Sequence, residues 1–211
     1  MLIMRIGGFT ILVVVAMAGA EEGTTDSSGY QPPAFCRGVD CPRFTIIKTE
    51  KEFEIRKYEV SYWTSTDMYE MDLQDAFRTG FRRLFKYITG ENENKEKLAM
   101  TCPVLTKIKP GPGPTCESNF TRSFMVPFSH QPSAPAPTDK DVYLNSMPEM
   151  TVYVRSFGGF ASETDWIQNA ADLAQAIGNA SLFDDSHFYT AGYDSPYRPT
   201  NRHNEVWFLA K

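Results

Sequence analysis

The order of strands and helices constrains the possible folds of this chain more than any other sequence feature. Strand-forming residues precede a predicted helix over 72–89, and they again precede a second predicted helix that begins at 162 or 163 and ends at 177. Asp72 can cap the first helix, and Gly90 and Gly178 follow the two helices as stop signals. Two strand–strand–helix units, with sheet dominant, predict an α+β domain.

A faint internal repeat makes this prediction more specific. Residues 52–58 resemble residues 149–157, and one long helix follows each segment. We therefore expect a distorted antiparallel or mixed β-barrel that is built from two pseudo-symmetric halves and flanked by two α-helices. A chance match between the two segments is the alternative.

The N-terminal residues have the composition of a secretory signal peptide. Arg5 precedes an apolar run over 9–17, and small residues at 18–20 follow where a signal peptidase would cut. The run is too short to span a bilayer, so no membrane span is predicted. We expect a signal peptide at 1–20, a flexible leader with a small disulfide loop at 21–42, the folded domain at 43–211 and an extracellular location. A retained N-terminal anchor is the competing interpretation, and Glu21 as the mature N-terminus would exclude it.

The charge of the chain argues against one class of partner. Its 211 residues carry a formal net charge of −5, and loss of Arg5 with the signal peptide makes the mature chain more acidic still. Proteins that bind nucleic acids present a cationic face to the phosphates, and no Lys/Arg-rich block occurs here. Nucleic acid is therefore not an expected partner.

Four cysteines lie beyond the signal peptide, and an even count in an exported chain predicts disulfides. Three pairings are possible. The favoured one joins Cys36 to Cys41 across a small loop, and Cys102 to Cys116 across a hairpin whose turn is rich in proline and glycine. Two sequons, which begin at Asn119 and Asn179, are candidate glycosylation sites in a secreted chain.

Six short segments, in this order along the chain, resemble motifs of the SOUL haem-binding protein family. They are residues 53–58, 86–90, 100–104, 150–160, 189–196 and 204–207. The resemblance extends from about residue 43 to the C-terminus. It implies a distorted barrel of two similar halves with two flanking helices, and the non-covalent binding of haem or another porphyrin. A tetrapyrrole is therefore the expected small-molecule partner.

The resemblance also implies where the ligand would lie. Family members hold the macrocycle against the first helix, with apolar side chains on its face and basic side chains near its propionates. The matching residues of this chain are Arg78, Phe81, Phe85, Lys86, Tyr193 and Arg198.

A helical wheel of the first helix supports this assignment. At about 100° per residue, an apolar arc faces the sheet, Phe85 lies at its edge, and a basic strip continues outward through Arg78, Arg82 and Lys86. An apolar border beside a basic strip suits a flat ligand that carries carboxylates. An ordinary amphipathic helix with a solvated basic flank is the alternative.

The expected iron ligand is missing. In some family members a histidine proposed as the axial ligand occupies the position of Lys57, and a protonated ammonium group has no free lone pair for iron. His130, His187 and His203 are interpreted as surface histidines without the spacing of a zinc site. Without an axial bond, we expect modest affinity and little selectivity for iron. The Cys-Pro pairs at 41–42 and 102–103 could instead mark thiolate ligands, but disulfides are favoured.

Two other functions compete with a secreted carrier, buffer or scavenger of tetrapyrroles. A hydrolase or a binder of other small molecules would use Glu205, which opens the last predicted strand; a structural acid is the alternative role. An interaction module would use the segment from Leu173 through Ile177, Gly178 and Asn179, which is loosely like a death-domain-binding helix. The same positions also suit the buried stripe of a helix.

Overall fold

The computed structural model describes residues 29–113 and 116–211. The predicted signal peptide at 1–20 and the first part of the leader lie outside the described residues. In chain order the elements are β1 (Phe44–Thr49), β2 (Glu54–Tyr58), β3 (Ser61–Glu70), α1 (Leu73–Ile88), β4 (Val104–Lys109), β5 (Ser118–Met125), β6 (Tyr143–Met147), β7 (Met150–Phe157), α2 (Glu163–Ile177), β8 (Phe188–Gly192) and β9 (Asn204–Leu209). Within the described residues, neither helix is long and apolar enough to cross a membrane.

The strands form a single curled half-barrel sheet, and their order reveals its symmetry. Across the sheet the order is β1-β2-β7-β9-β8-β4-β5-β3-β6, and every pairing is antiparallel. Without β1, the two halves of the chain contribute β2–β5 and β6–β9. Exchanging each strand for the strand of the same rank in the other half (β2 with β6, β3 with β7, β4 with β8, β5 with β9) gives the same order read from the other end. The α+β class and the two pseudo-symmetric halves are confirmed, and the sheet is antiparallel rather than mixed.

The repeat seen in the sequence corresponds to a different relation between strands. Segments 52–58 and 149–157 contain β2 and β7, which are hydrogen-bonded neighbours, with Glu54 opposite Val154 and Tyr58 opposite Met150. The strand equivalent to β2 is β6. Each half therefore contributes its first strand to the edge of the other half.

Each helix begins after a capping residue, and the cap of α1 is the predicted Asp72. The Asp72 carboxylate accepts a hydrogen bond from the Asp75 amide at 2.9 Å, and Ser162 and Asp165 form a reciprocal capping box at the start of α2. Each helix packs its apolar face on the sheet. The buried residues of α2 are Trp166, Ala170 and Leu173, and Ile177 packs beside them. At Leu173 and Ile177 the structure therefore agrees with a buried stripe rather than an interaction surface.

The disulfide loop is part of the core, although it precedes residue 43, where the folded domain is predicted to begin. Cys36 and Cys41 are bonded and both are buried in one of the core clusters, where Phe35 packs against them. Phe35 also stacks on the His203 ring with 4.0 Å between ring centroids. The described part of the leader is thus anchored by contacts with residues far along the chain.

The predicted pairing of Cys102 with Cys116 is wrong in this structure, where both are free thiols. The hairpin itself is present, with Val104 opposite Phe124 and Lys109 opposite Asn119. Cys102 precedes β4, whereas Cys116 lies at the turn beyond the other end of that strand. A strand of this length spans about 20 Å, so the register keeps the two thiols at opposite ends of the hairpin.

Candidate functional site

A cavity of about 600 Å³ lies beside α1, and we call it the aromatic cavity. Its walls come from α1, from the segment before β4, from the loop after β8 and from the disulfide loop. They are formed by Arg37, Val39, Phe81, Phe85, Met100, Thr101, Cys102, Val104, Gly192, Tyr193, Asp194, Ser195, Pro196, Tyr197 and Arg198. Four of the predicted site residues are among them: Phe81, Phe85, Tyr193 and Arg198.

Two phenylalanines of α1 form the apolar wall of this cavity. Phe81 and Phe85 are one helical turn apart, so their side chains lie on the same face, and their rings stack with 5.6 Å between centroids. Phe81 is supported from below by the buried ring of Phe124 at 5.3 Å. The two rings nevertheless remain 36% and 45% exposed. They therefore offer apolar surface that a ligand can cover.

The opposite wall is held by an ion-pair cluster around Asp194. Its carboxylate Oδ1 lies 3.0 Å from Arg37 Nε and 3.3 Å from Arg198 Nε, and Oδ2 accepts a hydrogen bond from the His203 amide at 2.6 Å. Burial opposes the ionised form, but these hydrogen bonds and charges hold the pKa of Asp194 below its usual value. Arg37 and Arg198 thus bring their positive charge to the rim of the cavity.

Beneath this wall lies a buried polar cluster centred on Glu205. Four side chains donate to its carboxylate: His203 at 2.7 Å, Tyr193 at 2.8 Å, Trp207 at 2.8 Å and Arg56 at 2.9 Å. Burial alone would raise the pKa of Glu205, but the hydrogen bond from His203 and the charge of Arg56 outweigh it and keep the pKa low.

This arrangement assigns Glu205 a structural role. Its side chain is fully buried and its oxygens already accept four hydrogen bonds, so it is not presented to the cavity as a base. Tyr193 links the cluster to the aromatic cavity, because its ring lines the cavity while its hydroxyl donates to Glu205. Burial and the nearby Glu205 charge raise the pKa of Tyr193, which keeps the phenol protonated.

Two of the predicted basic residues lie away from the cavity walls. Arg78 is 77% exposed and pairs with Asp75, and the Lys86 ammonium lies 3.3 Å from Glu91. Their contact with a ligand stays a prediction that rests on the family resemblance.

A family model described as "SOUL heme-binding protein" matches residues 39–209. The chain belongs to the SOUL family. Human Heme-binding protein 2 is 42% identical over 160 residues, which cover 75% of this chain and 78% of that protein. Mouse Heme-binding protein 2 is 40% identical over 194 residues, 92% of each chain. Heme-binding protein 1 of Xenopus laevis is 32% identical over 167 residues, 78% of this chain and 88% of that protein.

Solved structures of low identity share the fold of this SOUL-family chain. The C-terminal domain of EcmrR has a TM-score of 0.58 at 10% identity and covers 76% of this chain and 97% of its own. A structure titled as a hydrolase from Listeria innocua has a TM-score of 0.51 at 10% identity and covers 78% of this chain and 94% of its own. At such identity the likeness concerns the fold alone.

None of the three histidines of this SOUL-family chain lines the aromatic cavity. His203 is held between Phe35 and Glu205, and His130 lies 3.0 Å from Glu96. His187 is buried, contrary to the surface position predicted for it. Lys57 lies outside the cavity, where its ammonium pairs with Glu149 at 2.8 Å. The position of the family's proposed axial ligand therefore does not face this cavity.

Most of the other cavity-wall residues were not singled out from the sequence as ligand contacts; they include Arg37 and Met100, and Cys102 was favoured as a disulfide cysteine. Met100 and Cys102 belong to the family-like segment 100–104, which was a usable signal, whereas nothing in the local sequence pointed to Arg37. Cys102 Sγ lies 3.1 Å from Cys41 Sγ. Burial raises the pKa of the Cys102 thiol to about 12, so it is protonated at neutral pH and is not a ready thiolate ligand.

The two predicted glycosylation sites differ in their surroundings. Asn119 is partly buried on β5, with Tyr69 and Lys109 as its partners on the two neighbouring strands. Asn179 is exposed just after α2, where its side chain accepts hydrogen bonds from the Ser181 amide and hydroxyl at 2.9 and 2.8 Å. Glycosylation of either residue remains a prediction.

Proposed function

We propose that this SOUL-family protein binds haem or another porphyrin non-covalently in the aromatic cavity. The observation that carries the proposal is the exposed pair of stacked rings, Phe81 and Phe85, over a cavity of about 600 Å³ that also has cationic side chains at its rim. Ligand pockets are mostly apolar and concave, with a few polar groups that orient the ligand. Relatives named Heme-binding protein 1 and 2 support the same ligand class.

The residues present fit a flat macrocycle better than they fit an iron ion. Haem iron is held in proteins by His, Cys, Met or Tyr side chains. No histidine lines the cavity, the Cys102 thiol is protonated, and the Tyr193 hydroxyl is committed to Glu205. The other candidate ligands in the wall are the Met100 thioether, a ligand type that is paired with a histidine where it holds haem iron, and Tyr197, which is 93% exposed. We therefore propose that apolar contact dominates, with a dissociation constant on the order of micromolar and little preference for the iron-containing ring.

We further propose that the protein is exported and acts as a carrier, buffer or scavenger rather than as an enzyme. The apolar run at 9–17 and the Cys36–Cys41 disulfide suit an oxidising, extracellular setting. The enclosed position of Glu205 disfavours the hydrolase alternative. Expression in a secreting cell, followed by N-terminal sequencing of the medium, should give Glu21. A cell-retained protein that begins at Met1 would contradict export.

The binding proposal is tested by spectroscopic titration of the purified protein with haem and with metal-free protoporphyrin. We expect the two dissociation constants to agree within about threefold. A preference for haem above about a hundredfold, near 3 kcal/mol, would contradict the absence of an axial ligand. If neither compound binds, the proposed function is wrong.

A matched pair of variants locates the site in the same titration. Phe85→Ser removes an exposed ring from the cavity wall, and we expect affinity to fall about tenfold, as the loss of roughly 1–2 kcal/mol of apolar contact predicts. Ile167→Ser removes an exposed apolar side chain from α2, away from the cavity, and should leave affinity unchanged. Equal effects of the two changes would place the ligand elsewhere.

A further inference from the structure

A second cavity, of about 380 Å³, adjoins the aromatic cavity, and we call it the arginine cavity. The two cavities share five wall residues: Phe81, Val104, Gly192, Asp194 and Pro196. The additional walls of the arginine cavity come from the start of each helix, from β5 and from the approach to β9, and they include Arg122 and Arg202. A ligand that covers Phe81 in the larger cavity can therefore extend into the smaller one.

Arg122 is held beneath α1 with most of its hydrogen-bonding capacity unused. Its Nη1 donates to the Thr106 hydroxyl at 3.0 Å, and its guanidinium lies over the Phe77 ring, 4.3 Å from the centroid. Its buried Nε has no hydrogen-bond partner among the described residues. No carboxylate of residues 29–113 or 116–211 forms an ion pair with it. A guanidinium has five N–H donors, so this cation retains a free donor edge.

The helix above Arg122 is built to approach it closely. At Gly80, a side-chain carbon would lie 2.8 Å from Met68 Sδ and 2.9 Å from Arg122 Cβ, well inside contact distance. The absence of a side chain at this position lets α1 cover the stem of Arg122. Its guanidinium is then aimed along the helix toward Phe77 and the arginine cavity.

Arg202 supplies a second cation without a carboxylate partner in the described part of the chain. Its Nη atoms donate to the backbone carbonyls of Asp194, Ser195 and Arg198 at 2.6–3.2 Å, and its guanidinium lies over Phe160. The one carboxylate in the wall, Asp194, is already paired with Arg37 and Arg198. The arginine cavity thus has an uncompensated positive charge.

We propose that the arginine cavity binds a carboxylate of the ligand whose apolar body occupies the aromatic cavity, with Arg122 as its main partner. This inference rests on the proposed function and adds the anchoring group. Arg122 is partly buried, and a partly buried charge without a counterion is costly. Desolvation of the guanidinium lowers the pKa of Arg122. A carboxylate relieves that cost, because its two oxygens match the planar fork of a guanidinium. Porphyrins such as protoporphyrin carry two such groups on flexible side chains.

The experiment compares protoporphyrin with its dimethyl ester, which keeps the ring and removes both negative charges. Both are titrated in the same detergent-containing buffer against the unmodified protein, Arg122→Met and the control Lys51→Met. The control removes a positive charge from a side chain that is 94% exposed and lines neither cavity. Met is about as long as the buried stem of Arg and carries no charge. We expect Arg122→Met to weaken binding of the free acid at least tenfold and to leave binding of the ester within twofold. Lys51→Met should change neither by more than twofold.

The outcomes distinguish this proposal from the proposed function on which it rests. If the unmodified protein binds neither compound, the proposed function fails. If it binds both and Arg122→Met weakens both equally, Arg122 acts only through packing and the carboxylate site is wrong. An unchanged affinity for the free acid is equally decisive against it. Two further variants are used if Arg122→Met folds poorly. Arg122→Lys keeps the charge but not the planar fork, and Arg202→Met removes the second cation. Each should weaken binding of the free acid and leave binding of the ester unchanged. Sodium acetate is finally titrated into the complexes with the free acid and with the ester. We expect it to compete with the free acid only, which distinguishes a site for the ligand's own carboxylate from a site that binds free anions independently of the ligand.

Discussion

The half that contains α1 and the half that contains α2 share a strand frame but differ in what each helix covers. One row of paired residues crosses their junction in the order Arg122, Thr106, Thr190, Val206. The two threonines face each other, so Arg122 and Val206 occupy equivalent positions in the two halves. Under α2 that position is a fully buried valine in an apolar cluster. Under α1 it is a cation beside a cavity.

The aromatic residues of the two helices differ in the same way. Trp166 of α2 is only 5% exposed and meets Phe157 edge-on at 5.0 Å, whereas Phe81 and Phe85 of α1 remain exposed. The same strand arrangement therefore supports a packed core under α2 and the exposed wall of a cavity beside α1. The residues beneath the helix, not the topology, decide which half can accept a ligand.

The largest effect is expected from exchanging the two equivalent residues. Val206→Arg places an unpaired charge in a fully buried apolar cluster, and we expect it to lower the free energy of unfolding by more than about 4 kcal/mol, or to prevent folding. Arg122→Val removes a charge that has no counterion, and stability should change by less than about 1 kcal/mol or increase. Denaturant unfolding followed by fluorescence measures both. Similar losses in the two variants would show that Arg122 is as well accommodated as Val206.

A smaller difference is expected between the aromatic residues. Trp166→Ala should cost about 3–5 kcal/mol of unfolding free energy, because it leaves a large cavity beneath α2. Phe85→Ala should cost less than about 1 kcal/mol, since its ring is already half exposed. The same denaturant experiment compares them. A large loss for Phe85→Ala would make that ring part of the core rather than a ligand-facing wall.

The last prediction concerns reactivity and involves no change in stability. Cys102 lies in the cavity wall of the α1 half, and its raised pKa of about 12 keeps it as the thiol throughout the neutral range. Cys116 is exposed to solvent, whereas Cys102 is buried. Iodoacetamide at pH 8, with mass-spectrometric mapping, should label Cys116 on the folded protein and Cys102 only after unfolding. If both remain unlabelled even after unfolding, a disulfide joins Cys102 to Cys116, and neither is a free thiol.

Local chemistry explains which features were predictable from the sequence. The cap at Asp72 depends on a neighbour three residues away and was predicted from the sequence. The family resemblance implied Phe81 and Phe85 as site residues, and their spacing of one helical turn places them on one face of α1. The family resemblance added Tyr193 and Arg198, which line the same cavity. Strand pairing across the sheet was not readable, and for that reason the repeat was assigned to neighbouring strands rather than to equivalent ones.

The errors share a cause in long-range packing. The failure of Cys102 to pair with Cys116 follows from the register of a hairpin, which a cysteine count does not contain. The burial of the disulfide loop depends on Phe35 meeting His203, far along the chain. Nothing in the local sequence identified Arg122 as a site residue. Its lack of a counterion depends on the three elements that surround it, and their arrangement is not encoded in neighbouring residues.

The exchange of first strands between the halves has a consequence for how the protein is made. As the chain leaves the ribosome, β2 emerges long before β7, with which it pairs through Glu54–Val154 and Tyr58–Met150. In the same way, β3 emerges long before its partner β6. Such non-local pairings slow folding and leave unpaired strand edges open to aggregation until synthesis is nearly complete. Cutting the chain between the halves would separate β2 from β7, leaving it only β1, and would separate β6 from β3. The symmetry that divides the sheet is thus also what makes its two parts inseparable.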